Sequence, residues 1–544
     1  MRLFLKTKEL FMDVQSKRNF ILLGHAQSGK TTLAESLLYF CKATNRKGTV
    51  GDGTTVSDYS FDEIERKSSI NASLLYCEYK LQRIQIIDTP GYADFFGEVL
   101  SSIRAVDSAV IVVDAAAGVE VGTERAWQLA EEYNLPCLFF INKTDKAEAD
   151  SGKVLAEIKE NFSKGSVLVS DLNAPDLVEA VAESDDVLLE KYLEGKPLSA
   201  EEVILGLHKA VRSRAVFPVL QGSALNDLGT AELLEAVVKY LPNPAERQVE
   251  AFDPANPQNK KELVCSHDSH FSAFVFKNIS DPYVGQLTLL RVFSGSLTPN
   301  TGFHNVNKGA KERIGTINLL QGKEQRSVDI ATCGDIVAIA KLKETAASDS
   351  LGNDKDRVIF APLSFPEPAI SASVKPKSRE DEEKISGALH KLAAEDPTFK
   401  FTHDPQTKEL IISGLGDLHL TVMINRLKKR FNVEVELGTP KVSYKETITR
   451  PIKAQGKFKR QSGGRGQYGD CWIEVEPLER GQGFEFVDKV FGGAIPRNFI
   501  PSVEKGIVNA LVEGPVAGCL IVDLRVKLVD GSYHEVDSSD MAFQ

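Results

Sequence analysis

The stretch Gly24-His25-Ala26-Gln27-Ser28-Gly29-Lys30-Thr31 constrains this chain more than any other. It fits G-x-x-x-x-G-K-[ST] and follows the apolar run Phe20-Ile21-Leu22-Leu23. It leads directly into Thr32-Leu33-Ala34-Glu35-Ser36-Leu37-Leu38, which has the composition of a helix. Strand, glycine loop and helix in that order is the setting in which a loop cradles phosphates. Glycines let the backbone approach, successive N–H groups point at phosphate oxygens, and the helix N-terminus adds partial positive charge. In that setting Lys30 reaches the terminal phosphates and the Thr31 hydroxyl ligates Mg²⁺. The expected phosphate-binding set is Gly24, His25, Ala26, Gln27, Ser28, Gly29, Lys30, Thr31 and Thr32. An ordinary Gly-rich turn would match the loop but not both of its flanks.

Three further signatures follow in order. Gly48 to Ser60, rich in Gly, Thr and Ser, reads as a mobile loop. The strand Arg83-Ile84-Gln85-Ile86-Ile87 then runs into Asp88-Thr89-Pro90-Gly91. Asp88 at the end of a buried strand is placed to hold Mg²⁺ through water, and Gly91 can offer a backbone N–H to a γ-phosphate. Ala109 to Asp114 and Pro136 to Ile141 read as buried strands separated by a helix around Thr123 to Tyr133. Strands alternating with helices predict a mostly parallel sheet. The second of these strands leads into Asn142-Lys143-Thr144-Asp145. The Asp145 carboxylate can accept from both N1–H and the 2-amino group of guanine, a donor pair that adenine lacks. Gln221-Gly222-Ser223-Ala224-Leu225, after the strand Phe217 to Leu220, supplies a backbone contact to the base oxygen through Ser223, Ala224 and Leu225. Together these signatures predict a GTP-binding domain and exclude a metabolic kinase.

The chain of 544 residues has room for three or four domains. Its 42% hydrophobic and 26% charged content is that of a soluble globular protein, and no apolar run approaches the ~20 residues of a membrane span. A signal peptide at Met1 to Leu10 is not expected, because Lys6, Lys8 and Glu9 break the run; Met12 is an alternative start. Seven scattered cysteines without C-x-x-C fit a reduced, cytoplasmic protein. The formal net charge of −11 argues against nucleic acid, yet Lys453, Lys457, Lys459, Arg460 and Arg465 form a local basic patch.

The ordered motifs resemble those of translational GTPases of the elongation factor G family. The helical, acidic insertion from about Lys146 to Arg214 is similar to that family too. Two positions depart from it. The family usually has R-G-I-T, its Thr completing the Mg²⁺ shell; here the spacing gives Arg66-Lys67-Ser68-Ser69, so Ser69 joins Thr31 and Asp88 as the expected metal set. Ser69 keeps a hydroxyl but lacks the methyl that restricts its rotamer. The family also usually has His after D-T-P-G to orient the attacking water; here it is Tyr92, which joins Lys30 and Gly91 as the expected catalytic set. Tyr92 packing on the apolar switch surface is the competing reading. These departures resemble the divergent elongation factor G-like branch.

The expected architecture is multidomain α/β and β. It comprises a P-loop GTPase domain over 1–245 with a helical insertion at about 146–214 and a β-barrel over 262–360. A ferredoxin-like α+β domain over 365–440 and a partial α+β fourth domain over 443–544 follow. Leu241-Pro242-Asn243-Pro244 ends the last helix, and the run to Lys261 reads as a linker. From Phe271, short apolar alternations at Ser272 to Phe276, Leu287 to Phe293, Arg313 to Leu319 and Asp335 to Ile339 predict the barrel. Asp281-Pro282-Tyr283-Val284-Gly285 resembles the family's second domain. A βαββαβ order from Ala369 to Glu436 predicts the ferredoxin-like fold. Ser413 to Leu420 resembles the family's third domain, and His419 at a helix start reads as structural. Ser462 to Gly469 is expected as a cationic loop able to meet rRNA phosphates, a solvated hairpin tip being the alternative. Met541-Ala542-Phe543 begins an apolar helical face that stops at Gln544, within about one turn, too short for a helix to hold. The family continues with a fifth domain, so the chain is expected to be C-terminally truncated.

The resemblance implies a GTP-binding and GTP-hydrolysing translation factor of the translocation type, slow without ribosomes. It implies GTP/GDP and Mg²⁺ as ligands, the ribosome (rRNA and ribosomal proteins) as partner, no membrane, and a monomer. The alternatives are a GTP-gated ribosome-binding module with little turnover, or an incomplete fragment without mechanical output.

Overall fold

The first domain is built on one twisted sheet whose strand ends create the site. Its strands are β1 (Lys17–Leu23), β2 (Ser73–Tyr79), β3 (Gln82–Asp88), β4 (Ser108–Asp114), β5 (Cys137–Asn142), β6 (Ser166–Leu168) and β7 (Phe217–Gln221). They lie in the order β2-β3-β1-β4-β5-β7-β6. β2 is antiparallel to β3, and the other neighbours are parallel. The structure, a computed structural model, describes residues 13–281, 284–353, 355–461, 463 and 466–544. The readings made on Met1–Leu10, Met12, Pro282, Tyr283, Ser462, Gly464 and Arg465 lie outside the described residues.

β1, β4 and β5 are buried along their whole length. Alternate residues feed two separate cores: Ile21, Ile111 and Phe139 face one, and Phe20, Val110 and Leu138 the other. Burial on both faces is why residues 20–23, 109–113 and 137–141 within them read as unbroken apolar runs. The register Leu22↔Asp88 and Asp114↔Asn142 brings the carboxyl ends of β1, β3, β4 and β5 to one edge, where α/β sheets place ligands. The segment 146–214 is mostly helical as expected, but it also adds β6 to the sheet edge beside β7.

The chain divides into two compact units. One runs to Ser371 and takes in Pro376–Phe401 and Ile412–Glu436; the other is Ala372–Lys375, Thr402–Ile411 and Leu437–Gln544. In the first unit, the β-barrel region centres on the long hairpin Ser272–Asp281 and Gly285–Ser294, which pairs onward with Ile336–Ala340. The predicted strand Arg313 to Leu319 is in fact two, Ala310–Arg313 and Ile317–Gln321. The predicted linker to Lys261 instead carries a hairpin, Ala251–Asp253 with Asn256–Lys261, that pairs with Ile359–Phe360. Ala251 and Phe360 are both fully buried there, so the hairpin's apolar face outweighs its polar composition. The expected βαββαβ order follows: Ile370–Pro376, Arg379–Glu395, Lys400–His403, Leu410–Gly414, Asp417–Phe431 and Val435–Gly438.

In the second unit, Ile452–Arg460, Gln467–Pro477, Leu524–Ser532 and Phe484–Asp488 lie side by side, the last pair parallel. Its C-terminal turn overturns the expectation that no helix would hold there. Asp540–Phe543 is helical, Ser539 accepts from Ala542 N, and the Phe543 ring stacks on Phe499 at 4.9 Å. Packing, not length, stabilises that turn.

Charged groups sealed between the first domain and the barrel tie them together. Arg291 donates two bonds to Asp107, at 2.9 and 2.8 Å, and both side chains are almost wholly buried. Lys17 Nζ lies 2.8 Å from Asp335, and Gln85 exchanges bonds with the backbone of Ile336. Removing one partner of such a pair leaves a buried charge alone, a cost of about 3–5 kcal/mol. Arg291→Ala is therefore expected to lower the urea midpoint of the first unfolding transition sharply. An unchanged midpoint by far-UV circular dichroism would show that the seam contributes little.

Candidate nucleotide site

The P-loop is closed on itself by its own lysine. Lys30 Nζ donates to the carbonyls of Gly24 (2.9 Å) and His25 (2.8 Å), and the side chain is buried. Burial, with Lys143 nearby, pulls its ammonium down to about 8 against the attraction of Asp88 and Asp58. Two of the ammonium's three donors are spent on neutral carbonyls, weaker partners than charged oxygens. Gly29 sits at φ +98°, and a Cβ there would lie 2.2 Å from Asn142 Nδ2, so only glycine fits. His25 Nδ1 accepts from the Gly122 N–H at 3.1 Å, and the buried Ser28 hydroxyl has no partner among the described residues. Thr32 follows Thr31 along the cleft, which has a volume of about 270 Å³.

The expected metal set converges. Thr31 Oγ1 and Ser69 Oγ stand 3.0 Å apart, although 38 positions separate them in sequence. Ser69 is held there by Glu63, which accepts from the N–H groups of Ile70 (3.1 Å) and Asn71 (2.9 Å) just beyond it. Asp88 is 1% exposed, and among the described residues neither carboxylate oxygen has a hydrogen-bond partner of good geometry. Burial raises its pKa, while the Thr31 and Ser57 hydroxyls and Lys30 act the other way. Hydroxyls beside an unpaired carboxylate are hard oxygen donors, the kind Mg²⁺ takes together with phosphates, so the residues present fit that ion.

Sequence reasoning missed Asp58. It lines the same cleft at 4% exposure, and both of its carboxylate oxygens lack partners of good geometry among the described residues. Burial first, then Glu63 and Asp88, pushes it up to about 8. Its only local signal was an acid within an otherwise small, polar loop. Asp114 was also missed; at the end of β4 it takes the Lys143 ammonium at 2.7 Å.

At the other end of the cleft, Asn142 bridges two loops. Its Nδ2 donates to Ser28 O (2.9 Å) and its Oδ1 accepts from Ala224 N (2.8 Å). Lys143, at φ +64°, also donates to Gln27 O at 2.6 Å. Asp145 is solvent-exposed, and the Ser223 hydroxyl beside it holds its carboxyl below the usual range. Leu225 is 65% exposed on the same loop. All the base-reading residues expected from sequence are thus gathered here.

The segment after Asp88 faces both the cleft and the third domain. A Cβ on Gly91 would sit 2.6 Å from Ala26 N and from Lys30 Nζ, so its backbone abuts the P-loop. The Tyr92 hydroxyl lies 3.5 Å from Gln27 Nε2 while its ring packs against a core of Ile70, Phe95 and Val422. Both readings of Tyr92 therefore have a physical footing. Asp94 Oδ2 accepts from the N–H groups of Leu418 (3.1 Å) and His419 (3.2 Å), at the start of the Asp417–Phe431 helix. Arg426 of that helix binds Asp62 at 2.7 Å, beside the segment leading to Ser69. His419 itself is fully buried; its Nδ1 accepts from Leu415 N and its Nε2 lies 3.1 Å from Asp396, which fits a structural histidine.

Four family models match along the chain. They are Elongation factor Tu GTP binding domain over 15–243, Elongation factor G domain 2 over 270–354, Elongation Factor G, domain III over 365–439, and Elongation factor G, domain IV over 440–544. A crystal structure from Thermus thermophilus is similar over 97% of this chain and 82% of its own, with a TM-score of 0.85 and 33% sequence identity. The fourth-domain match extends over all of 440–544, so the expectation of a truncated chain with an incomplete fourth domain is not supported. Matched domain by domain in this order, and over most of its length by a solved structure, the chain belongs to the elongation factor G family of translational GTPases.

Proposed function

We propose that the chain is a GTP-hydrolysing ribosomal translation factor of the translocation type, working in the cytoplasm as a monomer with rRNA and ribosomal proteins as partners. The proposed layout is a GTPase domain over 1–245, a barrel over 262–360, a ferredoxin-like domain over 365–440 and a fourth domain over 443–544. The observation that carries this reading is the meeting of Thr31 and Ser69 hydroxyls beside the buried carboxylate of Asp88. Among the described residues no helix is long and apolar enough to cross a membrane.

In this reading Gly24 to Thr32 cradle the phosphates, and Lys30 leaves the Gly24 and His25 carbonyls for phosphate oxygens. Thr31, Ser69 and Asp88 hold Mg²⁺, Asp88 through water. Bound Mg²⁺ supplies neutralisation of charge on the phosphates. Asn142, Lys143 and Asp145 fix the base, with Ser223, Ala224 and Leu225 meeting its oxygen. Gly91 offers its N–H to the γ-phosphate, and Tyr92 orients the attacking water. A phenol, with a reference pKa of about 10, is a poor general base at neutral pH but can position water by hydrogen bonding. A second reading, a GTP-gated ribosome-binding module with little turnover, rests on Tyr92 standing where the family usually has histidine. GTP turnover with and without ribosomes separates the two: stimulated turnover supports the first, and binding without turnover the second.

Asp145→Asn is expected to weaken GTP binding by about 2–4 kcal/mol, through loss of its charge-assisted bonds, and to improve xanthosine nucleotide binding. Titration of both nucleotides checks this; unchanged GTP affinity would remove Asp145 from the base site.

Tyr92→Phe is expected to lose most of any ribosome-stimulated GTPase rate, and Tyr92→His to keep or raise it. If Phe retains full activity while Ala alone fails, the ring's packing on Ile70, Phe95 and Val422 is the better account.

Asp58 gives a pH signature. A carboxyl at about 8 in the folded state but about 3.9 unfolded binds its proton more tightly when folded. The metal-free protein should therefore lose stability as pH rises through that window. Asp58→Asn is expected to flatten that part of the melting-temperature profile, and Mg²⁺ to stabilise the wild type more at pH 8 than at pH 6. Superimposable wild-type and variant profiles would rule the effect out.

A further inference from the structure

Lys47 lies between the phosphate-loop helix and the loop from Gly48, and neither the motifs nor the family matches give it a role. Its ammonium reaches across to the base-reading loop. Nζ donates to Ala224 O at 2.6 Å, to Leu225 O at 2.9 Å and to the Asp227 carboxylate. An ammonium has three donors, and here all three are spent on one turn. The side chain is only 17% exposed. Asp227, at φ +57° in that turn, is anchored a second time by the Ser36 hydroxyl at 2.7 Å.

The direction of those carbonyls matters for recognition. Across a planar trans peptide, the N–H points opposite to the C=O. Holding the Ala224 carbonyl toward Lys47 therefore aims the Leu225 N–H the other way. Among the described residues nothing accepts from that N–H, whereas the Ala224 N–H is already committed to Asn142. The Leu225 N–H is thus left free for a ligand acceptor.

The next residue along ties the same lysine to the loop that reads as mobile from its composition. Gly48 N–H donates to Glu35 Oε2 at 2.8 Å, and Val56 N–H donates to Glu35 Oε1 at 2.6 Å. One fully buried carboxylate on the phosphate-loop helix thus closes both ends of 48–56. A Cβ on Gly48 would lie 2.4 Å from Thr54 O and 2.8 Å from Glu35 Oε2, so the closure is tight. The segment is thus fastened at both ends despite its small, polar composition.

We propose that Lys47 is a positioning residue for guanine recognition: it turns the Leu225 N–H toward the 6-oxygen of the base and, through Gly48 and Glu35, links occupancy of the base site to the 48–56 loop. This rests on the assignment of Ser223 to Leu225 as the base-reading loop.

The test compares GDP with the diphosphate of 2-aminopurine riboside, which lacks the 6-oxygen, in wild type, Lys47→Met and Lys47→Arg. Lys47→Met is expected to weaken GDP by about tenfold, the scale of one charge-assisted hydrogen bond, and to leave the 2-aminopurine nucleotide unaffected. Lys47→Arg, which keeps donors on the two carbonyls, should recover most of the loss. Equal weakening of both nucleotides would mean general damage to the site, and no weakening of either would mean no positioning; each overturns the proposal. Failure of the wild type to prefer GDP over the 2-aminopurine nucleotide would instead refute the base-loop assignment. Amide hydrogen exchange over 48–56 reads the second half. GDP should slow it in wild type and slow it less in Lys47→Met, and identical protection in both would break the link to the loop.

Discussion

Uncompensated negative charge is the constraint on which the nucleotide domain depends. Asp88 and Asp58 are buried to within a few per cent, and among the described residues none of their four oxygens has a partner of good geometry. Isolated buried carboxylates are too costly to persist ionised, so they take up protons or recruit cations. The surroundings supply some relief. Lys30 lies close enough to attract both, and the Thr31 and Ser69 hydroxyls stand beside them. The rest of the relief has to come from a proton or from what binds.

The chain places this charged edge next to elements from other domains. Glu98 accepts from Ala72 N just beyond Ser69's segment and also pairs with Lys277 of the barrel. Gln321 of the barrel accepts from Tyr76 N, and Leu74 O takes the Gly322 N–H, so β2 is bonded across to the barrel at two residues. Arg426 and Lys429 reach Asp62 and Glu65 from the third domain. A shift of the Asp58–Ser69 segment therefore cannot occur without repacking its charged contacts to the third domain. Buried contacts of this kind have discrete arrangements rather than a continuum, which is what lets a small local change become a larger one.

Much of the site was legible in sequence because its parts are local. The P-loop and Asn142 to Asp145 each follow a continuous apolar run that marks a strand buried on both faces, and Asp88 to Gly91 follows the shorter run Ile86-Ile87. Each is recognisable within a few residues. What escaped was non-local. The hairpin at Ala251 to Lys261 looks like a linker because most of its residues are exposed, and only Ala251 announces the pairing with Phe360. Asp58 and Lys47 carry no motif. Their importance comes from Asp88 and from the turn at Asp227, the latter 180 positions beyond Lys47 and brought close only by the sheet order. The C-terminal turn failed an argument from length because its stability comes from Phe499.

The Asp417–Phe431 helix begins at Gly416, which has no side chain to satisfy the free N–H groups of its first turn. Those of Leu418 and His419 are met instead by Asp94, a residue 324 positions before the first of them and in another domain. A carboxylate at a helix N-terminus both accepts those bonds and complements the helix dipole, together on the order of 1 kcal/mol. The helix therefore borrows its start from the segment that follows Gly91 and Tyr92. Movement of that segment would leave the first turn free to fray, so the order of a terminus in the third domain becomes a gauge of how the GTPase domain is arranged.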